Sequence, residues 1–233
     1  SRHIVQPMRQ LEADAERYDH GKMSDPFVVN SHINEITRLS ESLRTMACRL
    51  QRTRGDADPS ADLKDAQLSS LTRLAHSDAL TGIPNRLAAI EAIEHAFAAY
   101  KASGAACSLI MADVDAFKAI NDQHGHQAGD RALAHAARIL SEQLRQKDFV
   151  ARYGGDEFLL LLPGTSGNEA LSVANRLCRA VAKTPWTGAL HMTMSFGVAE
   201  ISASDMTVEQ IIVRADQRLY RAKHQGRNCV VGD

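Results

Sequence analysis

The feature that most constrains this chain is a pair of short apolar runs separated by two glycines. Phe149-Val150-Ala151-Arg152 and Phe158-Leu159-Leu160-Leu161-Leu162 have the length and composition of strands, and Gly154-Gly155 lies between them. Apolar runs joined this way read as a β-hairpin, so the two runs become antiparallel neighbours. Glycine tolerates positive φ and lets a ligand approach the backbone, and Gly154 and Gly155 are expected to supply both at the tip. Asp156 and Glu157 follow directly, so the same tip carries two carboxylates.

Around this hairpin the chain alternates strand-like and helix-like segments from Asp78 onward. Ser108 to Ala112 is a short apolar strand that ends at Asp113, Met192 to Phe196 is another, and Cys229 to Val231 a last one. Helical periodicity runs from Pro84, which can open a helix, to about Ser103. It recurs from Asp130 to Arg145 with Leu133, Ala137, Leu140 and Leu144 on one face, from Leu171 to Val181, and from Val208 to His224. The pattern predicts an α+β sandwich: a central antiparallel sheet with helices covering one face.

The first 54 residues read differently. Ile4, Met8, Leu11, Ala15 and Tyr18, and then Ile36, Leu39, Leu43, Met46 and Leu50, alternate spacings of four and three. That alternation is a coiled-coil seam, which needs a partner helix. A parallel dimeric bundle would bury both seams. Residues 55–77 form a linker, with breakers at Gly55 to Ser60 and a further helix from about Ala61 to His76. The remaining span, 78–233, holds the α+β domain.

The 233 residues leave room for one full domain and a smaller module. A content of 44% hydrophobic and 24% charged residues suits a soluble globular protein. The formal net charge of −1 removes any electrostatic case for a general binder of nucleic acid or membrane surface. Cys48, Cys107, Cys178 and Cys229 form no CxxC pair and read as free, mostly buried thiols in a reducing compartment. His124 and His126 lack a third ligand and read as loop packing or a hydrogen bond. No stretch is long and apolar enough to cross a membrane, and no signal peptide is visible.

The chemistry lies in the acidic residues. Asp113 stands at the end of a buried strand, beside a loop. If the hairpin neighbours that strand, Asp113 faces Asp156 and Glu157. Such a site would recruit Mg²⁺ through carboxylates and substrate phosphates. Two metals can activate an attacking oxygen and stabilise a leaving group. Alone, Asp113-Val114-Asp115 could be a surface loop, and Gly154-Gly155-Asp156 only a tight turn.

Arg152-Tyr153-Gly154-Gly155-Asp156-Glu157-Phe158 resembles the signature of the GGDEF family of diguanylate cyclases without a substitution. Further stretches resemble the same family: Asp78-Ala79-Leu80-Thr81-Gly82-Ile83-Pro84-Asn85-Arg86, Asp113 through Asp122, Gly125-His126 with Gly129-Asp130, Ser195 through Val198, and Ala215-Asp216 through Gly226-Arg227-Asn228. The resemblance implies a palm-like fold similar to class III nucleotide cyclases, and condensation of two GTP into cyclic di-GMP. It implies two Mg²⁺ per active site, with Mn²⁺ as an alternative. Asp113, Asp156 and the Val114 carbonyl would be metal ligands. Glu157 would be a further ligand or would help deprotonate the attacking 3′-hydroxyl. Gly154 and Gly155 would lie against the nucleotide, Phe117 and Lys118 would line its phosphates, and Lys223 and Arg227 would clamp the β and γ phosphates. Asn121 and Asp130 would read the guanine edge.

Arg145-Gln146-Lys147-Asp148 matches the family's product-binding inhibitory site, with Arg152 assisting. On its residues alone it is an ordinary i,i+3 salt pair at a helix end. The N-terminal stretch resembles a HAMP domain in Pro7, in Gly21 before an extended connector, and in Asn34-Glu35, where the family usually has Asp-Glu. That resemblance implies a transmembrane segment ahead of Ser1, so the chain would be the cytoplasmic portion of an inner-membrane protein. Each domain would hold one GTP, and the product needs two, so the active unit is expected to be a homodimer. Two rival classes stand beside this reading: a receptor that binds GTP or cyclic di-GMP without catalysis, and a structural relay whose functional part is the stalk.

Overall fold

In a computed structural model the chain is described over residues 75–185 and 191–232. The stalk expected over residues 1–54, and nearly all of the linker helix, lie outside the described residues. So does Cys48.

The first described helix, α1 (Arg86–Ser103), starts at Asn85, whose side chain accepts a hydrogen bond from the Ala88 N–H at 3.2 Å. Asparagine caps a helix because its carbonyl oxygen satisfies an orphan amide of the first turn. The expectation that Pro84 opens this helix is corrected: proline has no such acceptor. Pro84 lies ahead of the cap, bridged to Ser77, and its carbonyl accepts from the Arg152 N–H at 2.9 Å. Gly104 ends α1 in the left-handed region at φ 69°, donating to the Tyr100 carbonyl.

The chain continues through β1 (Cys107–Val114), α2 (Phe117–His124), α3 (His126–Gln143), β2 (Phe149–Arg152), β3 (Glu157–Pro163), α4 (Gly167–Lys183), β4 (Met194–Glu200), α5 (Val208–His224) and β5 (Val230–Val231). The strands form one sheet in the order β2-β3-β1-β4-β5. β1 lies at its centre, antiparallel to both β3 and β4, and the hairpin β2-β3 forms one side.

Two expectations about the sheet are corrected. It is mixed rather than antiparallel, because β5 pairs parallel with β4. A parallel neighbour needs a crossover, and α5 supplies it by carrying the chain back along the sheet. Helices cover both faces rather than one. On one face Ile110, Ala112, Phe158, Leu160 and Phe196 pack with Leu133, Leu140 and Leu177 of α3 and α4. On the other, Leu109, Met111, Leu159 and Leu161 pack with Ile93 of α1 and with Ile211, Ala215 and Leu219 of α5. Alternate residues of each strand therefore enter different cores. That is why Leu159 to Leu162 is an unbroken apolar run rather than an alternating one.

Cys107 and Cys178 are buried and Cys229 is half-buried, all three as free thiols. Burial pushes the Cys107 thiol up to about 11, which leaves it protonated and unreactive at neutral pH.

α5 packs hard against β4 at Gly197. A Cβ there would collide with the Ala215 carbonyl and the Leu219 amide of the helix backbone. Backbone cannot yield as a side-chain end can, so Gly197→Ala should destabilise the domain by roughly 1–3 kcal/mol, the usual cost of overpacking. Chemical denaturation of parent and variant checks this. Equal midpoints would mean that α5 is not seated on β4 as described.

Candidate active site

The register of the central strand assembles the carboxylates. Asp113 pairs with Glu157 across β1-β3 and with Ser195 across β1-β4. The Val114 N–H donates to the Asp156 carbonyl at 3.2 Å, which fastens the hairpin tip to the end of β1. The structure thus brings Asp113, Val114, Asp156 and Glu157 together. Asp113 is only 5% exposed. Burial pushes its carboxyl from the ordinary 3.8 up to about 6, against a hydrogen bond from Lys223 and with Asp156 and Glu157 repelling its charge. The Lys223 ammonium lies 2.8 Å from the Asp113 carboxylate. One of the two cations expected on the phosphates therefore rests on an expected metal ligand.

The hairpin tip is built otherwise than the glycines suggest. Neither Gly154 nor Gly155 has positive φ. Gly154 is needed for space: a Cβ there would lie 2.5 Å from a carboxylate oxygen of Glu157. Gly155 is exposed, and a Cβ there would meet nothing within 4 Å. Arg152 clamps this tip. Its Nε and Nη2 donate to the Gly155 carbonyl at 3.1 and 2.7 Å, while Nη1 donates to both carboxylate oxygens of Asp78 at 3.2 and 3.1 Å. Burial would raise the Asp78 carboxyl, but hydrogen bonds from Thr81 and the charge of Arg152 hold it below its ordinary value. Arg152 thus ties the Asp78 to Arg86 stretch to the glycine hairpin, and its expected product contact would have to share the guanidinium with that clamp.

The stretch after β1 is helical where the sequence suggested a loop. Ala116 takes the left-handed conformation, φ 53° and ψ 33°, and α2 begins at Phe117. Alanine offers no side-chain cap, so the first amides of α2, at Phe117 and Lys118, rely on other acceptors. A helix N-terminus of this kind favours anions. Lys118 is exposed and Phe117 half-buried. α2 and α3 are separated only by Gly125. The Asn121 side chain lies against Gly129, where any Cβ would collide with its amide oxygen. Asn121 is thereby brought beside Asp130, the next residue along α3. Asp130 is exposed, so any selectivity from desolvating its carboxylate must arise when a base covers it.

The C-terminal loop holds the remaining cation and a residue that the sequence reading left without a role. Arg227 and Asn228 are left-handed, at φ 63° and 48°. Asp115 is 7% exposed and accepts three hydrogen bonds: from Thr193 Oγ at 2.7 Å, Ser195 Oγ at 2.6 Å and the Asn228 N–H at 2.9 Å. The available signal was that Ser195 and Asn228 both stand in the quoted motifs with no chemical duty of their own. Asp115 is what they serve.

At the other end of the sheet, Arg145 to Asp148 forms a turn after α3. The Arg145 N–H donates to Asp148 Oδ2 at 2.9 Å, and the Asp148 N–H to the Arg145 carbonyl at 2.9 Å. The pair is joined through backbone, so the salt pair read from the residues alone does not form. The Arg145 side chain is exposed, and Asp148 Oδ1 is buried without a partner. A buried acceptor without a donor is costly, which favours a ligand that brings one.

Among the described residues no three histidine, cysteine or acidic side chains converge at metal-ligating distance. The donor set still fits Mg²⁺, a hard cation that takes one or two carboxylates and completes its shell with water and substrate phosphates. Burial is the main cause of the raised Asp113 carboxyl, and the charges of Asp156 and Glu157 add to it against the opposing Lys223.

A sheet with a central acidic strand end, a Gly-Gly-Asp-Glu hairpin beside it and helices on both faces defines a nucleotidyl-cyclase-like palm domain. The family profile described as "Diguanylate cyclase, GGDEF domain" matches residues 75–229, and the chain belongs to this family. It is 41% identical over 169 residues to diguanylate cyclase DgcP of Pseudomonas aeruginosa, covering 71% of this chain and 24% of that protein. It is 40% identical over 161 residues to diguanylate cyclase DgcM of Escherichia coli, covering 69% of this chain and 39% of that protein. The chain thus spans about a quarter to two fifths of these relatives. Among solved structures, the GGDEF domain of DgcB from Caulobacter crescentus in complex with c-di-GMP aligns at TM-score 0.65 and 29% identity, covering 68% of this chain and 95% of that one. The diguanylate cyclase SiaD of Pseudomonas aeruginosa, in complex with its activator SiaC, aligns at TM-score 0.68 and 31% identity over 100% of this chain and 87% of that one.

The raised Asp113 carboxyl has a consequence for stability. The folded domain holds this proton more tightly than the unfolded chain, so the stabilisation is complete below pH 3.8 and is lost as pH rises through about 6. Asp113→Asn should therefore gain stability relative to the parent as pH rises, from near parity at pH ~4 to roughly 2 kcal/mol at pH ~7.5. Urea denaturation across that range checks it. A difference that does not change with pH would remove the charge burden assigned to Asp113.

Proposed function

We propose that this domain condenses two GTP into cyclic di-GMP, releasing two pyrophosphates. The observation that carries the reading is the buried Asp113 carboxylate registered against Glu157 and beside Asp156 at the end of the central strand. Mg²⁺, held by Asp113, Asp156 and the Val114 carbonyl, would supply charge stabilisation of the α-phosphate and activation of the attacking oxygen. The chain's own residues do the rest. Substrate phosphates draw Lys223 from Asp113, and Arg227 joins it on the β and γ phosphates. The Phe117 and Lys118 amides and the Lys118 charge complete the cradle. The Asp130 carboxylate accepts from the guanine N1–H and N2–H, and the Asn121 amide completes the contact to that edge, a pattern that adenine does not match. Glu157 either accepts the 3′-hydroxyl proton or adds a ligand.

Each 3′-oxygen forms a bond to the α-phosphorus of the other GTP, and the bond from that phosphorus to the β-bridging oxygen breaks. Two half-sites must face one another, so the working unit is a homodimer. A HAMP-like parallel stalk over residues 1–54 brings the halves together, and a transmembrane segment ahead of it would make this chain the cytoplasmic part of an inner-membrane protein. The coiled coil and GGDEF domain of DgcB, in complex with c-di-GMP, aligns with 84% of this chain at 26% identity and TM-score 0.70, which supports a helical stalk ahead of the domain. Product binding at Arg145 and Asp148 would shift the dimers toward an arrangement in which the half-sites do not meet.

The purified chain, incubated with GTP and Mg²⁺, should accumulate cyclic di-GMP. Asp156→Ala should abolish that turnover while leaving the circular dichroism unchanged, because the hairpin tip contributes little to the core. Product formation by the variant at the parent's rate would sink the metal-ligand role.

Arg145→Ala should relieve inhibition by added cyclic di-GMP without changing the KM for GTP, since it touches no substrate contact. Equal inhibition curves would leave Arg145 and Asp148 as a surface turn.

A further inference from the structure

We infer that Asp115 is a positioning residue: it holds the Gly226-Arg227-Asn228 loop in its left-handed form and so aims Arg227 at the phosphates. The inference rests on the GTP reading above and adds a residue to it. Asp115 sits one residue beyond β1, buried at 7% exposure, and its own N–H donates to the Thr193 carbonyl at 2.9 Å. Its carboxylate is therefore fixed by the central strand and by the start of β4 before it meets the loop. Oδ1 takes the Ser195 hydroxyl, and Oδ2 is shared by the Thr193 hydroxyl and the Asn228 N–H.

The loop needs such an anchor. Arg227 and Asn228 are consecutive non-glycine residues at positive φ, each costing of order 1 kcal/mol or more, and such strain persists only where surroundings impose it. Three further bonds act on the same turn. The Arg227 N–H donates to the Ala222 carbonyl at 3.2 Å, the Cys178 thiol to Asn228 Oδ1 at 3.4 Å, and the Phe196 N–H to the Cys229 carbonyl at 3.0 Å. Of these bonds, only that from the Asn228 N–H to Asp115 links the loop to a charged acceptor, the stronger kind of hydrogen bond. One strand end thus serves two tasks two residues apart. Asp113 would help to hold the cation, and Asp115, bonded to Thr193, Ser195 and Asn228, sets the turn that carries Arg227.

Without this anchor the loop would spend less time in the competent form, and apparent affinity falls by the fraction lost. Saturating GTP would restore the geometry. Asp115→Ala should therefore raise the KM for GTP by roughly tenfold or more, with kcat changed much less. Asp115→Asn can keep an oxygen toward Asn228 and Thr193 while its amide donates to the Ser195 hydroxyl, so it should return the KM to within about threefold of the parent. Thr193→Val removes a hydroxyl from the same carboxylate without touching Asn228, and controls for lost stability. Hydrogen–deuterium exchange of the C-terminal peptide containing Asn228, on the full chain without nucleotide, gives a readout independent of activity. Faster exchange in the Ala variant than in the Asn and Val variants, together with the KM split, supports the inference. Parent-like KM or parent-like exchange in Asp115→Ala overturns it. A parent that neither binds nor turns over GTP overturns the cyclase reading instead, and the exchange comparison then still decides whether Asp115 holds the loop.

Discussion

β1 is hydrogen-bonded along both edges and packed on both faces, so the groups at its C-terminal end cannot relax. Asp113 meets Glu157 on one side and Ser195 on the other because the registers of β3 and β4 leave no alternative. A carboxylate held there is denied the solvent it would otherwise keep, and its charge is costly until a cation arrives. Lys223 relieves part of that cost in the free domain. Phosphates and a divalent cation would relieve the rest, which makes the strand end a place where ligand binding removes an existing penalty.

The other site elements are arranged around that fixed point by short connections. The hairpin tip is bonded to Val114 and clamped by Arg152, whose second grip on Asp78 reaches the segment through which the chain enters the domain. α5 returns from β4 to β5 and delivers Lys223 at its last turn. The close contact at Gly197 sets how near that helix lies. Positioning in this domain comes from backbone register and a few buried polar bonds, with the aliphatic cores on either face keeping the sheet rigid.

Much of this could be read from the residues. β2 and α5 have the bounds that their apolar periodicity gives, and the acidic cluster was visible as a strand end facing a glycine hairpin. The misses have physical reasons. α2 is short and polar and has no side-chain cap, so it carries no signal that separates it from a loop. β5 is two residues long, too short to reveal its direction. Gly154 looked like a conformational need and is a steric one, which depends on where the Glu157 side chain turns. Asp115 showed no role because its three partners come from positions 78 to 113 residues away.

On the proposed function, Asp113, Asp156 and the substrate phosphates would complete one cation site between them. Mn²⁺ binding, followed by electron paramagnetic resonance with and without a GTP analogue that cannot be condensed, tests it directly. Two carboxylates alone should hold the ion weakly, and the analogue should strengthen binding by at least tenfold, with Asp113→Asn abolishing that gain. Mn²⁺ binding that is equal with and without nucleotide, or that survives Asp113→Asn undiminished, would rule that shared site out.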